Sequence, residues 1–149
     1  MNFSNAQSIA ILFCAGKEMD DPSKGVLNYA ETLRRKGKNI TVLAYVDEPK
    51  LPEGLGFDAF SKKELNWAQV PKGIVVEQFL NKEYDILLSL YEDCPQGLEF
   101  LSEATAAVLK AGIYKGENAF QADLMVQNKK NDFSKALIQL DEALNKVNK

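Results

Sequence analysis

Two cysteines, Cys14 and Cys94, and the carboxylates of Asp47, Glu48, Glu92 and Asp93 stand at the ends of apolar segments. They are the side chains of this sequence best placed to do chemistry. A thiol pair can oxidise or share a soft metal, and a carboxylate rim can hold Mg²⁺ or supply acid–base groups when burial raises one of them. Glu18, Asp20 and Asp21 extend the acidic set. The histidine count is 0, which removes every histidine-dependent triad, metal site and imidazole base that this chain could form alone. No C-x-x-C occurs, and free cysteine is among the most buried residue types, so the thiols also fit as two small core residues. The acids fit equally as a solvated edge, with Asp21 as a helix N-cap.

The elements that must position these groups alternate in type. Ser8 to Phe13 is a continuous apolar run expected of a strand buried on both faces. Asp21-Pro22 opens a helix whose Val26, Ala30 and Leu33 share one face. Arg34 to Lys36 and then Gly37 end it. Ile40 to Val46 is a second strand, parallel to the first in a βαβ unit. From Pro49 to Pro71 prolines and glycines break the pattern. Phe57 to Phe60 is expected there as a short edge strand, and Ser61 to Glu64 as a capping box before a turn bearing Leu65 and Trp67.

Ile74 to Asn81 reads as a helix with Val75, Phe79 and Leu80 inward, and Ile86 to Leu90 as a strand. Leu98, Leu101, Thr105 and Val108 then mark a helix, Ala111 to Tyr114 and Leu124 to Val126 two strands, and Phe133 to Val147 a final helix striped with leucine. Lys115 to Asp123 is short for a parallel crossover. The last strand is therefore expected to be antiparallel or joined by a bare loop.

These signals predict one α/β domain over 1–149, a three-layer αβα sandwich around a Rossmann-like, mostly parallel sheet of about five or six strands. In such sheets ligands bind beyond the carboxyl ends of the strands, where the strand order reverses. Orders 3-2-1-4-5-6 and 2-1-3-4-5 both set Ser8–Phe13 beside Ile86–Leu90. Cys14, Gly16, Lys17, Asp47, Glu92, Asp93 and Cys94 would then share one rim.

The segments LAYVDEPKLPEGLGFDAFSKKELNW, YDILLSLYEDCPQGLEFLSEATAAVLKAGIY and DLMV resemble a family of small uncharacterised bacterial proteins. That family has a GFDFF-like turn, a K-x-L-N-W segment, a D-[IL]-L-[IL]-x-L strand and a late D-L-M-[IV] strand. Here they fall at Gly56 to Phe60, Lys63 to Trp67, Asp85 to Leu90 and Asp123 to Val126. The resemblance covers most of the chain and implies a Rossmann-like fold without an assigned activity. Asp85 to Ile113 is also faintly similar to the acceptor-side domain of heptosyltransferase-like glycosyltransferases. No counterpart of their nucleotide-sugar domain is present, so this similarity implies a shared fold and not transferase activity.

The 149 residues carry 18 Lys+Arg against 21 Asp+Glu, a formal charge of −3, which gives no basic footprint for nucleic acid. No positive n-region precedes Ile9, and Phe13 before Cys14 is too large for a cleavage site. The N-terminus is therefore expected to be mature sequence of a cytoplasmic protein, with no membrane partner. Neither G-x-G-x-x-G nor G-x-x-x-x-G-K-[ST] occurs, so no dinucleotide cofactor is expected. A receiver-like phosphoacceptor site with Lys129 is disfavoured by Cys14-Ala15-Gly16, where acids would be needed.

The protein is expected to be a non-enzymatic or regulatory module without a cofactor. It would bind a small anionic ligand near Lys17, or a protein partner, including a second copy through Phe57, Phe60 and Trp67, although covering the sheet edge is the commoner role of such aromatics. The alternative is a small enzyme using Asp/Glu and cysteine in the crevice.

Overall fold

The computed structural model of the protein describes residues 6–15, 23–46, 58–61, 73–90, 96–114, 124–127 and 133–145. Strands β1 (Ser8–Ala15), β2 (Asn39–Val46), β3 (Asp58–Ser61), β4 (Glu83–Leu90), β5 (Ala106–Tyr114) and β6 (Leu124–Gln127) alternate with helices α1 (Ser23–Arg35), α2 (Ile74–Leu80), α3 (Gln96–Ala104) and α4 (Phe133–Asn145). The strands form a 6-stranded sheet in the order β3-β2-β1-β4-β5-β6. Every neighbouring pair is parallel, β5 with β6 included, so the antiparallel alternative for the last strand is wrong. The connection 115–123 lies outside the described residues.

Sheet residues are apolar on both sides because helices cover both sides. Ile9, Ile11 and Phe13 of β1 join Ile40, Val42, Ala44 and Val46 of β2 and Ile86, Leu88 and Leu90 of β4 on one face. Val26, Ala30 and Leu33 of α1 and Leu137, Leu140 and Leu144 of α4 bury that face. Burying Val26 or Leu33 contributes on the order of 2 kcal/mol each. On the other face Ala10, Leu12, Leu43, Tyr45 and Leu87 pack under Val76 and Phe79 of α2 and Leu98 and Leu101 of α3. The result is the expected three-layer α/β arrangement.

Helix α1 ends in a Schellman motif. The N–H of Lys38 donates to the carbonyl of Leu33 at 3.3 Å and that of Gly37 to Arg34 at 2.9 Å. This closure needs the left-handed φ of 84° that Gly37 adopts.

Two local expectations are corrected. Helix α3 stops at Ala104, and Val108 is an exposed strand residue of β5, 66% accessible. Both the N–H and the Oγ1 of Thr105 donate to the Leu101 carbonyl, at 3.0 and 2.6 Å, closing the last turn of the helix. Ala106 and Ala107 then pair with Glu83 and Tyr84, a long-range ladder that outweighs alanine's helical preference. In α2 the buried residues are Val76 and Phe79, while Val75 and Leu80 are only partly covered. Ser61 ends β3 with its side chain buried, and the helical turn it was expected to cap, with Leu65 and Trp67, lies outside the described residues.

Candidate functional site

Strands β1 and β4 are hydrogen-bonded neighbours running the same way, paired from Ile9↔Ile86 to Phe13↔Leu90. On its other side β1 pairs with β2 as far as Cys14↔Tyr45 and Ala15↔Val46. The helices that follow the two strands lie on opposite faces, α1 on one and α3 on the other. Chain leaving two adjacent strands toward opposite faces is the geometry of a topological switch point.

At this end Cys14 is half-buried, packed against the cluster that holds Leu12, Tyr45 and Leu98. Its cross-strand partner Tyr45 sets its ring 5.2 Å from that of Phe60, tilted by 46°. Phe60 is fully buried. Its ring thus belongs to the core, and it offers no surface for the docking role expected of it. Just below the exit of β4, the hydroxyls of Ser89 and Ser102 meet at 2.9 Å, both buried, and tie β4 to α3. Gly16, Lys17, Asp47, Glu92, Asp93 and Cys94 of the expected rim, and Phe57 and Trp67 of the expected interface, lie outside the described residues. So does Lys129. Among the described residues no group of three or more Cys, Asp and Glu could hold a metal ion.

Polar groups at the amino end of the sheet are committed to the backbone. The Asp85 carboxylate accepts the N–H of Gln7 at 2.7 Å and of Ser8 at 3.2 Å, and the Ser8 hydroxyl accepts the Asp85 N–H at 3.1 Å. Lys38 Nζ donates to the Ala6 carbonyl at 2.7 Å, and the Asn39 N–H to the Gln7 carbonyl at 2.7 Å. Burial, then the charge of Lys36, lowers the Lys38 pKa, while Asp85 opposes that shift.

Two tyrosines serve structure in the same way. The Tyr84 hydroxyl donates to the Phe79 carbonyl at 2.9 Å, and burial pushes its pKa up to about 12 against an opposing bond with Thr41. The Tyr29 hydroxyl donates to Asp141 at 2.7 Å and joins α1 to α4. Burial first and the Asp141 carboxylate second hold Tyr29 far above the ordinary tyrosine range.

None of Asp85, Ser89, Ser102 or the Tyr29–Asp141 pair was singled out by sequence reasoning for a role. Only Asp85 carried a signal, an acid set at the start of the apolar run ILLSL. The hydroxyls and the interhelical pair carry none, because their partners are 13 and 112 residues away in the chain.

The model of a family of unknown function (DUF6913) matches residues 1–147. The chain belongs to that family. No curated protein matches the chain. Membership agrees with the resemblance carried by the Gly56–Phe60, Lys63–Trp67, Asp85–Leu90 and Asp123–Val126 motifs, and it brings no activity with it. No helix among the described residues is long and apolar enough to cross a membrane.

Proposed function

We propose that the protein is a cytoplasmic, non-enzymatic module that binds a small anionic ligand at the carboxyl ends of β1 and β4. The observation that supports this is the divergence of α1 and α3 to opposite faces behind two adjacent parallel strands. In sequence Gly16 and Lys17 directly follow β1, a small residue and a cation suited to an anion. The N-terminal turn of α1 favours negative charge. Asp47, Glu92 and Asp93 follow β2 and β4 in the sequence, and carboxylates near the site would disfavour a polyanion. A ligand with one anionic group flanked by hydroxyls or amines would suit that mixture of charges. Cys14 forms part of the apolar wall beneath it.

Native mass spectrometry of the freshly purified protein should report a retained small molecule. In melting experiments, inorganic phosphate or a small hydroxy acid at about a hundred times its Kd should add about 2.7 kcal/mol of stability, a rise of roughly 5–10 °C. Lys17→Ala should abolish the rise while leaving the melting point of the ligand-free protein within about 1 °C. A bare polypeptide mass, together with no shift from any anion tried, would overturn the proposal.

A further inference from the structure

We draw no further inference here: the strongest candidate, the pocket of about 40 Å³ between α2 and the β2–β3 edge lined by Thr41, Asp58, Val75, Gln78, Phe79 and Lys82, carries nothing because it is roughly a tenth of the size at which ligand pockets begin.

Discussion

The two ends of the sheet differ in what their polar groups do. At the amino end, Asp85, Ser8 and Lys38 all bond to backbone atoms of neighbouring segments, and the Schellman closure at Gly37 delivers the chain to β2. Toward the carboxyl end a buried hydroxyl pair, Ser89 with Ser102, ties a strand to a helix. The helices that follow β1 and β4, α1 and α3, pack on opposite faces of the sheet. Polar groups committed to the backbone at the amino end hold the strands in place. The proposed site lies at the opposite end, where parallel strands aim their exits.

Breaking the locked end should produce the largest effect. Asp85→Ala removes an ionised acceptor from two backbone donors and should cost about 2–3 kcal/mol, lowering the melting point by roughly 5–10 °C. Asp85→Asn, which keeps an acceptor but not the charge, should restore part of this. A melting curve for Asp85→Ala that overlays the wild type would show that this end is not held as described. At the other end Ser102→Ala strands the buried Ser89 hydroxyl and should cost about 1–2 kcal/mol in urea unfolding. The double variant with Ser89→Ala should lose less than the sum of the singles. Strict additivity would mean the two hydroxyls do not depend on each other.

Gly37→Ala meets open space but must hold a left-handed φ, so about 1 kcal/mol should be lost with no change in ligand response. The pH dependence should be the smallest effect near neutrality. Because the folded pKa of Tyr84 lies above the unfolded value near 10, its contribution is whole below about pH 10 and is lost as pH rises toward about 12. Tyr29 acts in the same direction. Urea midpoints from about pH 9 to about pH 11 should fall less steeply for Tyr84→Phe than for the wild type. An unchanged slope would exclude Tyr84 as a source of the alkaline loss.

Much of this framework was legible because it is periodic. The apolar run of β1, the i, i+4, i+7 face of Val26, Ala30 and Leu33, and the Gly37 stop each declare themselves within a dozen residues. The adjacency of β1 and β4 followed from the alternation of strands and helices, which admits few orders. Phe60 was legible as part of a short edge strand, but the direction its ring takes was not. Pairing with Tyr45 turns it inward. Thr105 to Val108 was misassigned because leucine spacing at 98 and 101 continues on paper into residues that β4 claims as a ladder partner.

Sequence alone determined which segments must be buried and whether each repeats with the period of a strand or a helix, since burial of apolar surface is written in residue type and spacing. Tertiary structure alone decided where α3 gives way to β5, that β6 runs parallel, and which polar side chains meet. Those outcomes hinge on contacts between residues distant in the chain, such as Asp85 with Gln7 and Tyr29 with Asp141. A local pattern can propose such a contact, but only a folded partner at hydrogen-bonding distance can supply its energy.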